Sequence, residues 1–441
     1  MRAAAVVGLV LLLSGPAHAQ SSAADIQARI SAAAPGARIE VAAGTYNGDL
    51  IINRPVHLVG IGRPLLLGTG TGTVVTVTAP DVTIEGFDID GRKGGDLGQD
   101  ASGILVAAPR VTIRDCSITN TLFGIYLKAA SGARVEKCRV RGIKEKSAGE
   151  KGSGIHVWNT DGFTLTGNEI YEVRDGIYIQ SSPHGVIRGN VARDLRYGLH
   201  YMYSDDNVFE DNVFANGDAG TAIMYSRRLT FRRNQFLHNR GFASVGLLLN
   251  TCDDVVADHN VMADNARGIF VEGSSGVRIQ DNAIARSDVA VVLFASSERL
   301  TVTGNSFVGN LSPLLLVGHR PDASFSGNFW SDNTAPDLDG DGRTDNVYPL
   351  TSVFDTVRGN LTAADLFARS LSASALGAAE RALPVLAPSE VVDSAPLAAA
   401  PELRLPPLWQ PAERRGSWSG LGASACALVI GITAATRGRR S

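Results

Sequence analysis

The sequence lacks the signals of several common protein classes. Its 441 residues contain 41 Lys and Arg against 44 Asp and Glu, so no excess of positive charge indicates a nucleic-acid partner. Only four cysteines are present and no two form a C-x-x-C pair, which argues against a zinc knuckle and a thioredoxin-type site. Aromatic residues are few whereas glycines number 48, a composition typical of short strands and tight turns.

The N-terminus has the three parts of a secretory signal peptide. Arg2 precedes an apolar run at 3–13, and Ala17-His18-Ala19 forms an A-x-A cleavage site. We therefore predict that residues 1–19 are a signal peptide and that the rest of the chain is exported to an oxidising compartment.

An internal repeat of about 22 residues organises the middle of the chain. Its clearest markers are asparagines at steps of 22 or 26 residues: Asn168, Asn190, Asn212, Asn234, Asn260 and Asn282. Within each unit the apolar residues alternate at period two, which is typical of short strands with one buried face. The period matches one coil of a parallel β-helix, whereas the leucine frame of leucine-rich repeats and the long amphipathic stretches of α-solenoids are missing.

We therefore predict an all-β fold, a right-handed parallel β-helix over 20–360. The handedness follows from the usual crossover rule. A short helix starting near Ser22 and Asp25 should cap the N-terminal end of the core. The asparagines should form a structural ladder at one corner, because asparagine tolerates left-handed backbone geometry and its amide can bond to the next coil.

Cys116 and Cys138 take the asparagine position in two earlier coils. They should therefore stack on neighbouring coils. Either they fill that position as small apolar side chains, or they form a disulfide or a thiolate metal site.

An acidic loop follows the last repeat. Asp337, Asp339 and Asp341 resemble the first half of an EF-hand loop, and Asp345 is the nearest substitute for its bidentate glutamate. The sequence predicts a Ca²⁺ loop here. The alternative is an Asp/Gly turn that closes the C-terminal end of the β-helix.

The C-terminal part divides into three predicted segments. We expect a helix over 361–382, a Pro- and Ala-rich linker over 383–416 and an uncharged stretch over 417–437. The uncharged stretch is long enough to span a bilayer, so it is either a membrane anchor or a removable sorting tail.

The repeat also predicts two columns of outward side chains. One column is His156, Tyr178, His200 and Ala222, and the other is Trp158, Gln180, Met202 and Met224. A coil spacing of ~4.8 Å would bring two thioethers within reach of one ion, and thioether and imidazole donors select Cu(I). We therefore predict a copper site among Met202, Met224, His200 and His156. The alternative is two surface methionines covered by a partner or an insertion.

Two stretches carry a resemblance to a known family. "RYGLHYMYSDDN" at 196–207 and "GNFWSDNTAPDLDGDGRTDNVYPL" at 327–350 resemble the NosD family, and the similarity extends over about 25–360. The resemblance implies a non-catalytic periplasmic protein of nitrous oxide reductase maturation that handles Cu(I). Its implied partners are the permease and ATPase of an ABC transporter, a copper chaperone and apo nitrous oxide reductase.

Two other classes of function stay open. A polysaccharide-acting β-helix enzyme, whether hydrolase, lyase or epimerase, is the first, because "WNTDGF" at 158–163 resembles a motif of pectin-hydrolysing glycosidases. Such an enzyme needs a second carboxylate ~5–9.5 Å away, and the stacked positions Ser181, Ser182 and Pro183 do not supply it. A structural or adhesive solenoid is the second.

Overall fold

The computed structural model describes residues 21–241, 244–318, 322–367, 370–382 and 391–410. The predicted signal peptide at 1–19 and the predicted anchor at 417–437 lie outside the described residues. Within the described ranges, no helix is long and apolar enough to cross a membrane.

Three long sheets, parallel except for one antiparallel pair at the C-terminal end of the first, wrap around one core, which confirms the predicted β-helix. The chain forms about 13 coils of roughly 22 residues, and each coil passes through the first, second and third sheet in turn.

The first sheet has fifteen strands: Ala37–Val41, Val56–Gly60, Thr83–Glu85, Thr112–Arg114, Arg134–Glu136, Thr164–Thr166, Val186–Arg188, Val208–Glu210, Thr230–Arg232, Val256–Asp258, Arg278–Gln280, Leu300–Thr303, Ala323–Ser326, Val392–Asp393 and Tyr348–Pro349. The second sheet has fourteen: Ser21–Ser22, Thr45–Asn47, Leu65–Leu67, Asp88–Asp90, Ser117–Thr119, Arg139–Arg141, Glu169–Tyr171, Val191–Arg193, Val213–Ala215, Gln235–Leu237, Val261–Ala263, Ala283–Ala285, Ser306–Val308 and Phe329–Trp330. The third sheet has twelve: Leu50–Ile52, Val75–Val77, Ser102–Val106, Phe123–Lys128, Ser153–Trp158, Asp175–Gln180, Tyr197–Met202, Ala219–Arg227, Val245–Asp253, Arg267–Glu272, Val289–Phe294 and Ser312–Val317.

The period-two pattern accounts for the core. In most of the three-residue strands the middle side chain points inward and is fully buried, as for Ile170, Phe214 and Ile187. Aromatic side chains continue from coil to coil inside the core, and the rings of Phe209 and Phe231 stack with centroids 4.6 Å apart. The coils therefore share one continuous hydrophobic interior.

The asparagines form a hydrogen-bonded ladder inside one corner. The backbone N–H of Asn190 donates to Oδ1 of Asn212 over 3.0 Å, and the side-chain amide of Asn190 donates to the same oxygen over 2.9 Å. The same pair of bonds links every step from Asn168 to Asn328. The predicted reason for asparagine needs one correction, because the left-handed residue is the one before it, such as Asp211 with φ 56°.

Helices close two exposed edges of the β-helix. The predicted N-terminal helix is Ala23–Ala32, where the Ser22 side chain accepts from the N–H of Ala24 over 3.1 Å and Ile26 and Ile30 are buried. At the other end, Val353–Asn360 lies against the last strand of the third sheet, where Asp355 and Arg358 both hydrogen-bond the Ser312 hydroxyl. Such covers protect strand edges that would otherwise pair with other chains.

The remaining helical elements are short. A 3₁₀ helix at Thr362–Phe367 and an α-helix at Leu371–Ala382 lie in the region predicted as helical. Two further 3₁₀ turns, Leu97–Gln99 and Ala148–Glu150, lie in insertions between coils.

Part of the segment predicted as a linker returns to the β-helix. Val392–Asp393 pairs in parallel with Ala323–Ser326 and antiparallel with Tyr348–Pro349. Further along, Leu405, Leu408 and Trp409 pack against the outside of the second sheet. These described residues of the Pro- and Ala-rich segment thus have defined positions on the solenoid.

Candidate functional site

The strand register of the third sheet stacks both predicted outward columns. His156 is opposite Tyr178, Tyr178 is opposite His200 and His200 is opposite Ala222. In the second column the order is Trp158, Gln180, Met202 and Met224. Met202 and Met224 are therefore direct neighbours on adjacent coils, at a spacing of ~4.8 Å between strands.

Both methionines are partly exposed on the outer surface. The hydroxyl of Tyr178 lies 3.9 Å from Sδ of Met202 and donates to Oε1 of Gln180 over 2.6 Å. On the other side of the pair, Asn250 follows Met224 in the column and its amide donates to Glu272 over 2.7 Å. The two thioethers thus lie between polar side chains on the outer surface. Packing in the hydrophobic core therefore does not account for methionine at these two positions.

His200 is held in place by a buried carboxylate. Its Nδ1 lies 3.2 Å from Oδ2 of Asp175, and the His200 side chain is only 13% exposed. Asp175 is fully buried and also accepts two hydrogen bonds from Arg196, at 2.8 and 2.7 Å. Burial alone would raise the pKa of Asp175, but the hydrogen bonds from His200 and Arg196 outweigh it and hold that pKa at about 2.

A carboxylate on Nδ1 favours the imidazole tautomer with its proton on that nitrogen. The lone pair is then on Nε2, which is the form in which histidine binds metals. Within the described residues, no hydrogen bond to Nε2 of His200 is present. Sequence reasoning missed Asp175, whose only signal is a carboxylate at the first position of the strand Asp175–Gln180.

His156 lies apart from the other three predicted ligands. It is two coils from His200, or ~10 Å, so it does not reach an ion held by the methionines. Its ring is sandwiched between Tyr126 and Tyr178, with centroids 4.4 Å from each. Burial lowers the pKa of His156 to about 4, and its Nδ1 is buried without a hydrogen-bond partner among the described residues.

Two tyrosines flank the methionine pair on the surface. Tyr203 and Tyr225 follow the methionines at the corner, their side chains are 55% and 49% exposed, and their rings stack with centroids 5.1 Å apart. Both have left-handed backbones, with φ 52° and 53°. A bulky side chain is unfavourable there, and the equivalent corner of other coils carries Asn159, Ser181 or Gly273.

The acidic loop brings its first three aspartates together. Carboxylate oxygens of Asp337, Asp339 and Asp341, one from each, all lie within 4.8 Å of one another. The carboxylate of Asp337 accepts from the N–H groups of Gly340 and Gly342, at 2.7 and 3.0 Å. Asp345 instead accepts from the N–H of Leu338 over 2.6 Å. The loop is thus ordered by its own carboxylates, as in an Asp/Gly turn.

Cys116 and Cys138 are buried free thiols on neighbouring coils. The backbone N–H of Cys138 donates to Oδ1 of Asn168 over 2.9 Å. The cysteines therefore continue the asparagine corner, where they fill space in the core.

The carboxylates near the glycosidase-like motif are ion-paired. Asp161 lies 2.7 Å from Nδ1 of His184, and Asp206 accepts two hydrogen bonds from Arg228, at 2.6 and 2.7 Å. The bonds from Arg228 lower the pKa of Asp206. A glycosidase acid needs the opposite shift, because it must hold a proton near neutral pH.

Comparison with protein families and curated proteins gives consistent matches. The family model described as periplasmic copper-binding protein (NosD) matches residues 142–335. The chain is 38% identical over 413 residues to a Pseudomonas aeruginosa protein named "Probable ABC transporter binding protein NosD", covering 89% of this chain and 95% of that protein. It is 34% identical to a protein of the same name from Stutzerimonas stutzeri, covering 92% of this chain and 96% of that protein.

Solved structures with a similar backbone share only the fold with this chain. The catalytic unit of a GH87 alpha-1,3-glucanase from Streptomyces thermodiastaticus matches with TM-score 0.58 and 15% identity, over 73% of this chain and 68% of that chain. The Streptococcus pneumoniae surface adhesin PfbA matches with TM-score 0.51 and 12% identity, over 67% and 94% respectively. One neighbour is an enzyme and the other an adhesin, so the likeness carries no function to this chain.

Proposed function

This chain belongs to the NosD family of periplasmic copper-binding proteins, and from that premise we propose that it is a non-catalytic assembly factor for the copper sites of nitrous oxide reductase. It would act in the periplasm together with the permease and ATPase of an ABC transporter. A copper chaperone would supply the metal, and the apo reductase would receive it.

The observation that carries the proposal is the stacking of Met202 on Met224 beside His200. Two thioethers and one imidazole are soft to intermediate donors, which suit Cu(I) and bind Ca²⁺ or Mg²⁺ poorly. Asp175 supports the set by holding His200 in the tautomer that a metal needs.

The position of the site suits delivery of an ion to another protein. All three side chains project from the outer face of one sheet, and both methionines are partly exposed. An ion held there is open to an incoming ligand of a partner, so it can pass by ligand exchange without being released into water. Cu(I) is thus the cargo of the protein.

A Ca²⁺ ion at the acidic loop is a second, separate proposal. Asp337, Asp339 and Asp341 supply oxygen donors of the type that Ca²⁺ prefers. Its role would be structural, because the loop pairs with the returning segment, where the N–H of Thr344 donates to the carbonyl of Pro396 over 2.8 Å.

The copper proposal is tested by competition for Cu(I). The full exported chain is titrated anaerobically against a chromogenic Cu(I) chelator, alongside the double variant Met202→Leu/Met224→Leu. Leucine keeps the volume of methionine and removes the sulfur, so the affinity should fall at least about tenfold. Met262→Leu is the matched control, since Met262 lies fully buried in the core.

Equal Cu(I) affinity of the wild type and the double variant would refute the thioether site. Depolymerisation of an acidic polysaccharide by the wild-type chain would instead favour an enzyme. Co-purification with an integral-membrane permease separates the assembly factor from a structural solenoid.

A further inference from the structure

The outer face of the second sheet is apolar over several successive coils. In earlier coils its outward positions carry charged residues such as Arg139, Arg141 and Glu169. They are then replaced by an apolar face: Val191, Val213, Ala215, Leu237, Val261 and Ala263. An uncovered apolar surface of this extent normally marks an interaction site.

The C-terminal strap, which we define as residues 403–409, covers this apolar face. Leu405, Leu408 and Trp409 pack on it. With the strap in place, Val213 is 5% exposed and Leu237 is 3% exposed, although both side chains point away from the β-helix core. The strap therefore makes a second, external hydrophobic layer.

Gln235 is the polar residue in the middle of the apolar face, and it bonds to the strap backbone twice. Its Nε2 donates to the carbonyl of Pro407 over 3.1 Å, and its Oε1 accepts from the N–H of Trp409 over 2.8 Å. These two backbone groups lie on either side of Leu408 and point the same way in an extended chain. A glutamine amide carries an NH₂ donor group and a carbonyl acceptor side by side, so it replaces a neighbouring strand at this point.

A related arrangement, on both backbone groups of a single residue, occurs at the other end of the molecule. There Gln27 donates to the carbonyl of Ile51 over 2.9 Å and accepts from its N–H over 2.8 Å. In that case the amide joins the capping helix to the first strand of the third sheet. In both places among the described residues, a glutamine side chain thus pairs with extended backbone through its NH₂ group and its oxygen.

The sequence of the strap reduces the entropy cost of docking. Pro406 and Pro407 restrict the backbone before it binds, so fewer conformations are lost on contact. A proline pair flanked by hydrophobic side chains is also the type of segment that apolar grooves recognise.

We propose that the apolar face and Gln235 form a peptide-recognition site, and that its ligand is the chain's own strap. The site is independent of the copper proposal, because it lies on a different sheet from the methionine pair. A site of this kind binds the same sequence in trans when the strap in cis is loosened.

Peptide binding to the full chain tests the proposal. The probe is a fluorescein-labelled peptide with the sequence of residues 401–410, followed by anisotropy. The loosened variant Leu405→Ala/Trp409→Ala should bind it at least about tenfold more tightly than the wild type, because its own strap competes less. Adding Gln235→Leu should reverse most of that gain, whereas the control Gln280→Leu, on the outer face of the first sheet, should not.

Hydrogen exchange of the unmodified chain gives a second test. The amide of Trp409 should exchange at least about tenfold more slowly than in the free peptide, since Gln235 accepts its hydrogen. Exchange at the free-peptide rate would overturn the proposal. A loosened variant that fails to bind the peptide would also overturn the proposal. So would a loosened variant that dimerises instead, because the apolar face would then serve contacts between copies of the chain.

Discussion

The carboxylate of Asp393 takes the place of the next asparagine above Asn328. Its Oδ2 accepts from the backbone N–H of Asn328 over 3.1 Å and from the side-chain amide over 2.8 Å, which are the two bonds that link each step of the ladder below. The same oxygen accepts from Nε1 of Trp330 over 3.0 Å, and Asp393 is fully buried. The chain thus ends its ladder with a residue that lies 65 positions away.

Removing this carboxylate should destabilise the C-terminal coils. Asp393→Ala leaves the N–H of Asn328 and the indole of Trp330 without acceptors, at a cost of about 2–4 kcal/mol in the free energy of unfolding. Urea denaturation measures the cost, and Glu402→Ala, at an exposed position of the same returning segment, is the control. A loss no larger than that of the control would show that the contact does not stabilise the end.

The buried imidazole of His156 should make the copper-free protein sensitive to mild acid. Burial lowers its pKa to about 4 from 6.5, so between these values the unfolded chain binds a proton that the folded chain does not. Stability is therefore lost as the pH falls from 6.5 towards 4, by about 2 kcal/mol at pH 5. His156→Phe keeps the ring between its two tyrosines and should remove this part of the pH dependence.

Urea denaturation at pH 7 and pH 5 measures the effect. Tyr126→Phe is the control, since it retains a ring beside His156 and leaves the titrating group in place. If His156→Phe and the wild type lose equal stability between the two pH values, the imidazole is not the group responsible.

The buried Asp175 should support copper binding through His200. Asp175→Asn removes the charge that favours the metal-binding tautomer, and the Cu(I) affinity should fall about 10–100-fold. Chelator competition measures it, with Asp194→Asn, a neighbouring partner of Arg193, as the control. An unchanged affinity would mean that His200 is not a ligand or does not depend on Asp175.

The exposed tyrosines should contribute little to stability. Tyr203→Asn and Tyr225→Asn place a residue that tolerates left-handed geometry at each corner, so the free energy of unfolding should change by less than about 1 kcal/mol. Tyr201→Phe is the contrast, because the Tyr201 hydroxyl is buried and bonded to Ser204 and Asn207, and its loss should cost about 1–3 kcal/mol. Thermal denaturation measures the stability of all three variants. A large loss of stability in the two asparagine variants would show that the stacked tyrosines stabilise the fold.

The repeat period made the fold and the outward columns predictable. Because every coil has nearly the same length, a residue's neighbour on the next coil can be read from the sequence, as for Met202 and Met224. Asp175 could not be identified in this way, since its contact with His200 runs diagonally between strands.

The C-terminal segment shows a different limit of sequence reasoning. Its Pro- and Ala-rich composition is typical of linkers, and the partner of Trp409 is 174 residues away. The clearest sequence signal of this contact is in the strands of the second sheet on which the segment packs. Strands such as Val213–Ala215 and Val261–Ala263 have apolar residues at all three positions, so one face must be covered from outside.

The returning segment also sets an order of folding. Each coil contacts mainly its neighbours in sequence, so coils can form one after another from local contacts. The strap and Asp393 join parts of the chain that are 172 and 65 residues apart, and their loop closures come last. During folding, the molecule therefore passes through a stage with a finished solenoid and an uncovered apolar side, and in that interval it is most exposed to aggregation.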